Sequence, residues 1–202
     1  MGSPPSTKYS CVMADPPWPY DTSVKGRAAL QKPQCEIERG DRHVHDMGYL
    51  TMSIDELCQM GVADIVEKNA HLYLWTTNSF MEQSYAVARA WGFKPKTILT
   101  WVKVKKDSTD PSMKCGYWYR SASEHILFCV RGSLKLTVKK GMPSVYYAER
   151  EPHSRKPELF YSLAEECSPG PYLEMFARRR RVGWDAFGNQ VNQSIAIPEK
   201  QQ

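Results

Sequence analysis

Six short apolar runs, separated by stretches with helical spacing, set the outline of this chain. Tyr9–Ala14 is the first. His71–Thr76 is the second, so continuous in large side chains that both of its faces should be covered. Ile98–Val104, His125–Val130 and Tyr172–Ala177 follow, and a shorter stretch around Trp184–Phe187 completes the set. Helices fall between them. Ser53 followed by Glu56 forms a capping box that opens a helix through Met60, and Ser79 with Glu82 repeats it for a helix to Trp91 that Gly92 stops. Pro157 suits the first turn of a third helix. Its apolar face carries Leu159, Phe160, Leu163, Ala164 and Cys167, and Ser168-Pro169-Gly170 ends it. Strands alternating with helices predict an α/β fold with a largely parallel, doubly wound sheet and helices on both faces. Segments 19–48, 105–123 and 132–153 carry neither period and are candidate lids or binding loops near strand ends. The resulting layout is a loose N-terminus over 1–7, one domain over 8–191, and a polar, frayed tail over 192–202.

Composition narrows the class. The chain has 202 residues, 42% hydrophobic and 24% charged, enough for one domain with a substantial core. No apolar stretch approaches the ~20 residues of a membrane span, and the first residues lack the pattern of a signal peptide. A net charge of +5 is compatible with a polyanionic partner without requiring one. The six cysteines are scattered, with no CxxC pair, so they read as reduced and structural, in an intracellular protein. The five histidines show no metal-ligand spacing, and His43 and His45 read as part of a solvated loop. No metal is expected.

Candidate chemistry sits at the two ends of the chain. Asp15-Pro16-Pro17-Trp18 closes the first strand. Two prolines stiffen the backbone and remove two amide donors, leaving a carboxylate, free carbonyls and a flat aromatic ring together. That set suits a planar group with an exocyclic amine, such as adenine; the bland alternative is a proline-stiffened turn. At the far end, Glu174-Met175-Phe176-Ala177-Arg178 and Gly188-Asn189-Gln190 offer an acid and amides that can bind ribose hydroxyls. Lys156, within His153-Ser154-Arg155-Lys156-Pro157, presents a cation at a helix start. No glycine-rich dinucleotide or P-loop motif is present. A ligand with a ribose and an anionic amino-acid end remains, and S-adenosylmethionine fits. The clusters Lys103/Lys105/Lys106, Lys139/Lys140 and Arg178–Arg181 could meet phosphates, although each reads first as a solvated face. Trp75 and Trp101 read as core.

In these residues the chain resembles the MT-A70-like adenine methyltransferases, from about Tyr9 to Gln190. The resemblance rests on Asp15-Pro16-Pro17-Trp18, Tyr49–Ser53, His71–Thr76, Glu124-His125, Ser154–Pro157, Ser168–Gly170, Glu174–Arg178 and Gly188–Gln190, in that order. It implies a Rossmann-like class I methyltransferase sheet in permuted order, catalytic strand first and main cofactor strand near the C-terminus. It implies methylation of the exocyclic N6 amine of adenine in nucleic acid, DNA favoured over RNA. Lys156 would then hold the carboxylate of S-adenosylmethionine and Asp15 its amino group. Phe176, Arg178, Asn189 and Gln190 would line the ribose side, with Glu174 in support. Asp15 and the Pro16 carbonyl would hold the hydrogens of the target amine, Pro17 would stiffen the turn and Trp18 would stack on the base, with Tyr20 and Tyr49 as further walls. The chain starts close to the catalytic strand, whereas family members can draw adenine contacts from upstream, and it reads Arg178–Arg181 where some relatives carry other polar groups. The compact size fits a prokaryotic or phage-type enzyme, cytoplasmic, with a homodimer or a partner subunit as its expected assembly. The competing readings are the same reaction on RNA and a catalytically silent nucleic-acid-binding partner subunit.

Overall fold

The computed structural model describes residues 7–20, 51–113, 118–150, 155–192 and 195–198. Along them run β1 (Tyr9–Ala14), α1 (Ile54–Gln59), α2 (Val62–Ile65), β2 (Val66–Thr76), a 3-10 turn (Asn78–Phe80) and α3 (Met81–Ala90). β3 (Lys94–Val104), β4 (Ser123–Arg131), β5 (Val145–Glu149), α4 (Leu159–Cys167), β6 (Tyr172–Met175) and β7 (Trp184–Phe187) complete the order. All seven strands form one sheet, ordered β5-β3-β4-β2-β1-β6-β7. The pairings β1–β2, β1–β6, β6–β7 and β3–β5 are parallel, while β4 is antiparallel to both β2 and β3. The fold is thus mixed α/β with a mostly parallel sheet.

Side chains of the two central strands alternate between two cores, as the two-residue repeat of a strand requires. Val12, Ala14, Leu72 and Leu74 pack beneath α1, α2 and α3 with Leu57, Val62, Val87 and Trp91. Cys11, Met13, Tyr73 and Trp75 pack on the other face against Phe160, Leu163 and Ala164 of α4. Helices therefore cover both faces, and residues 71–76 are buried throughout, as their unbroken apolar run predicts. Cys11, Cys58, Cys129 and Cys167 form no disulfide among the described residues, and burial pushes Cys11 and Cys129 up to about 12. No helix among the described residues is long and apolar enough to cross a membrane.

Local signals hold in some places and fail in others. Ser53 and Glu56 form the expected capping box: Glu56 N donates to Ser53 Oγ at 3.2 Å and Ser53 N to Glu56 Oε2 at 2.7 Å. Gly92, at φ +84°, ends α3 where an L side chain would be strained. The Ser79–Glu82 box does not form. Phe80 N donates to Thr77 O at 3.0 Å, winding Asn78–Phe80 into a 3-10 turn, so α3 starts at Met81 with no side-chain cap. β5 lies inside the segment 132–153, which reads as irregular in sequence. The fifth predicted strand stops at Met175, because Phe176 turns into the left-handed region at φ +62°. The tail, expected to fray, packs back over residues 195–198. Gly61 N donates to Pro198 O at 2.7 Å, and Ile195 and Ile197 rest on the core.

Candidate active site

The parallel strands all end on one edge of the sheet, where open α/β sheets bind ligands. Asp15 follows β1, Thr77 follows β2, Phe176 follows β6 and Gly188 follows β7. Because β4 runs the other way, its first residues arrive at the same edge, Glu124 opposite Trp101 and His125 opposite Thr76. Asp15 N still donates to Met175 O at 3.4 Å, so the β1 tip is zipped to β6 one residue past the last pair.

The proline turn is fastened from several sides. Trp18 N donates to Pro16 O at 2.9 Å, Tyr20 N to Trp18 O at 2.8 Å, and Met52 N to Pro17 O at 2.9 Å. Trp18 Nε1 donates to Trp75 O at 3.1 Å, and its ring stacks on Phe80 at 5.5 Å with an 11° angle. At 4% exposure, Trp18 is a fastening side chain, with little surface left for stacking a base. Tyr20 is better placed for that. It is 36% exposed, its hydroxyl is 2.6 Å from Thr77 Oγ1, and its ring meets Phe80 edge-on at 4.7 Å. Tyr49 lies outside the described residues.

Lys156 joins the two halves of the predicted site. α4 packs on the Cys11/Met13 face of β1, which brings the residues just before it to the β1 tip. Lys156 Nζ lies 2.7 Å from Asp15 Oδ2 and 3.3 Å from Glu124 Oε2, and 5.1 Å above the centre of the Trp75 ring. Burial disfavours its charge, but the Asp15 and Glu124 carboxylates outweigh that and hold the ammonium above its ordinary range. Glu124 also pairs with Lys103, which lies 4.9 Å from the Trp101 ring. Trp75 Nε1 is buried without a hydrogen-bond partner among the described residues.

The β6–β7 side is differently built. Glu174 accepts from the Tyr161 hydroxyl at 2.7 Å, and burial raises its carboxyl above the ordinary range despite that bond and nearby Arg179. Phe176 meets Phe187 edge-on at 6.2 Å. Gly188 passes so close to Ala177 that a Cβ there would fall 2.2 Å from its carbonyl oxygen, so this turn demands glycine. Arg178, Asn189 and Gln190 are exposed in the two turns leaving β6 and β7.

Two charge clusters change meaning. Lys103, a candidate phosphate contact in sequence, is 3% exposed and faces the core. In the arginine run, Arg179 and Arg181 pair with Glu158, Arg181 covers the Tyr161 ring at 3.6 Å, and Arg180 donates to Asn192 O. These arginines brace the start of α4, and the cleft of about 310 Å³ that they line with Glu165 and Val182 lies on that brace. Sequence reasoning missed Lys103 and Glu124 as partners of the site. The signal was present, since Leu99, Trp101 and Lys103 share one face of β3, which puts a charge in a buried row.

A zwitterionic ligand with a ribose fits these residues. Lys156 opposes a carboxylate and Asp15 an ammonium, the exposed amides of Asn189 and Gln190 suit a diol, and the missing Cβ of Gly188 lets two backbone turns meet. No group of three or more metal-ligating side chains occurs among the described residues. Comparison with known proteins points the same way. The profile of the family MT-A70 matches residues 9–190. The chain is 29% identical over 202 residues to type II methyltransferase M.MunI of Mycoplasma sp, covering 96% of this chain and 83% of that protein. It is 27% identical over 190 residues to the human N(6)-adenosine-methyltransferase catalytic subunit METTL3, covering 92% of this chain and 28% of the other. Against N6-methyladenosine RNA methyltransferase MTA1 of Cryphonectria parasitica it is 27% identical over 192 residues, covering 91% and 52%. The chain therefore spans most of the first relative, about a quarter of the second and half of the third.

Proposed function

Because the chain belongs to the MT-A70 family of N6-adenine methyltransferases, which use S-adenosylmethionine, we propose that it methylates the exocyclic amine of adenine in DNA. The observation that carries this reading is the 2.7 Å contact between Asp15 and Lys156, which unites two sequence clusters 141 residues apart at one sheet edge. A silent partner subunit would have no use for that pair. The sheet is then a Rossmann-like class I methyltransferase sheet in permuted order, with β1 the catalytic strand and β6 the main cofactor strand. Adjacency of β1 and β6 supports this assignment.

When bound, S-adenosylmethionine supplies an electrophilic methyl group on a sulfonium. Lys156 holds its carboxylate, Asp15 reaches its ammonium, and Asn189 and Gln190 take the ribose hydroxyls, with Phe176 and Arg178 beside them. Glu174, held by Tyr161, supports that pocket. The lone pair of the adenine amine is delocalised into its ring, so the amine must be turned before it can attack. Asp15 and the Pro16 carbonyl, which has a second lone pair besides the one that accepts from Trp18 N, accept its hydrogens and aim the lone pair outward. Such orientation can supply about 7–11 kcal/mol of a barrier, which is why a fastened turn matters. The Asp15 charge also opposes the positive charge that grows on the nitrogen. Trp18 contributes by pinning the turn through Trp75 and Phe80, while Tyr20 and Tyr49 wall the base.

In duplex substrates the target base must leave the stack. Trp118 and Tyr119, 85% and 94% exposed, sit beside Arg120 on the loop between β3 and β4. Lys103 N donates to Ala122 O at 2.7 Å, which roots this loop beside the charged edge. Aromatic faces next to a guanidinium suit unpaired bases and phosphates. DNA is favoured because the match runs nearly end to end with M.MunI, whereas the relatives named for RNA or adenosine are covered in part. The same reaction on RNA is the second reading, favoured by the 27% identity to METTL3 across 92% of this chain. Matched DNA and RNA oligonucleotides offered together with S-adenosylmethionine decide it. Methyl-deoxyadenosine is the expected product; methyl-adenosine alone would transfer the assignment to RNA. The protein is taken to act inside a cell, where its free thiols are stable.

A further inference from the structure

Asp15, Lys156, Glu124 and Lys103 form a row of alternating charge that runs inward from the sheet edge. Along the row, side-chain exposure is 30% at Asp15, 10% at Lys156, 15% at Glu124 and 4% at Lys103, so the outer end is open and the inner end closed. Each lysine lies over a tryptophan ring, and the rings of Trp75 and Trp101 meet edge to face at 6.1 Å. One carboxylate, Glu124, thus bridges two amines, one at the reactive end and one in the core. The proposed reaction gives Lys103 nothing to do. Buried ion pairs are also a poor way to add stability, since apolar residues of equal volume do as well or better.

We propose that Glu124 and Lys103 are positioning residues that set how Lys156 divides its charge between Asp15 and the cofactor's carboxylate. This rests on the methyltransferase reading above. Lys103 holds one oxygen of Glu124, so the other makes only a 3.3 Å contact with Lys156. Lys156 is then drawn from both sides, and Asp15 keeps acceptor strength for the adenine amine. Removing the Glu124 charge lets Lys156 settle on Asp15 and drains that acceptor. Removing the Lys103 charge frees Glu124 to capture Lys156, which weakens its hold on the cofactor. The two substitutions therefore act in different directions, and once the Glu124 charge is gone the loss of Lys103 has nothing further to change at Lys156.

The test compares Glu124→Gln, Lys103→Met and the double variant by steady-state methylation and by equilibrium binding of S-adenosylmethionine. Glu124→Gln should lower kcat about tenfold with cofactor affinity retained, and Lys103→Met should weaken cofactor binding about tenfold with kcat retained, within the range of coupled networks. The double variant should match Glu124→Gln alone, with cofactor affinity retained, because Lys103 acts only through the Glu124 charge. Equal loss of kcat and affinity in both singles, or additive loss in the double, would overturn the proposal, as would variants that change only melting temperature. If the wild type binds the cofactor but methylates no polymer, the methyltransferase reading fails at the chemical step. The binding arm still judges the row, because Lys103→Met alone should weaken it.

Discussion

Two polar clusters lie on the same face of the central strands, one at each end of α4. At the C-terminal end, Ser168 Oγ is 2.8 Å from His71 Nδ1 and 2.9 Å from the Tyr73 hydroxyl. His71 Nε2 lies 3.3 Å from Leu134 O, which can only accept, so Nε2 carries the proton. Tyr73 therefore donates to Ser168, and Ser168 to Nδ1, in a closed, neutral chain. Its three side chains are 1% exposed or less. Just before the N-terminal end of α4, Lys156, Asp15 and Glu124 form a charged cluster that opens to 30% exposure at Asp15. Depth of burial alone does not separate the two, because Lys156 is itself nearly enclosed. Charge and an open end do. The neutral chain spends all three of its side-chain donors internally and belongs to the fold; the charged row is open to a ligand at Asp15.

Substitutions should split along that line. Asp15→Ala is expected to cut methyl transfer by about two to three orders of magnitude or more, as removing a group aimed at developing charge does. Because Lys156 keeps Glu124 as a partner, the melting temperature should stay close to wild type. A collapse of stability without loss of turnover in the folded protein would erase the distinction. Ser168→Ala should do the reverse. It strands the Tyr73 hydroxyl and His71 Nδ1, costing about 1–3 kcal/mol in denaturant unfolding, with kcat unchanged.

Acid should act on the neutral cluster, and from the same cause on His125 beside the charged row, which burial also holds below its ordinary value. Burial pulls His71 below its ordinary value of 6.5, against the bond to Leu134 O. As pH falls through 6.5 the unfolded chain takes up a proton before the folded one, so stability is full above that value and declines below it. The slope is at most about 1.4 kcal/mol per pH unit for this group. Urea midpoints at pH 7.5 and pH 5.5 measure it, and a His71→Gln variant should show a shallower decline. The smallest effect concerns the loop beyond the charged row. Trp118 is 85% exposed while the other five tryptophans are at most 6% exposed. A single-stranded oligonucleotide should quench its emission, and Trp118→Leu should abolish the quench and weaken binding by about 1 kcal/mol, the lower end of base–aromatic stacking. Quenching that survives the substitution would place the polymer elsewhere.

How legible each part was in the sequence follows from burial. β1 and β2 are central and covered on both faces, so their runs of Val, Leu, Tyr and Trp stand out. β5 is an edge strand whose Val145 and Tyr147 are exposed, and its short alternation is lost in a long polar segment. Asp15 and Lys156 were readable as separate candidates, because a double proline and a helix start are local signals. Their contact was not, since nothing local says that α4 packs under β1. Lys103 and Glu124 carried only a weak signal, the apolar Leu99 and Trp101 on the Lys103 face of β3. A charged residue in a strand reads as solvated until its neighbours show that the row is buried.

The account stands most directly on one reaction. Incubating the protein with methyl-labelled S-adenosylmethionine and adenine-containing DNA, then digesting to nucleosides and identifying the labelled species by mass, tests it in one step. Label on the N6 position of deoxyadenosine, lost in Asp15→Ala, is the predicted result. Label on cytosine, or label on adenine that persists undiminished in Asp15→Ala, would contradict it.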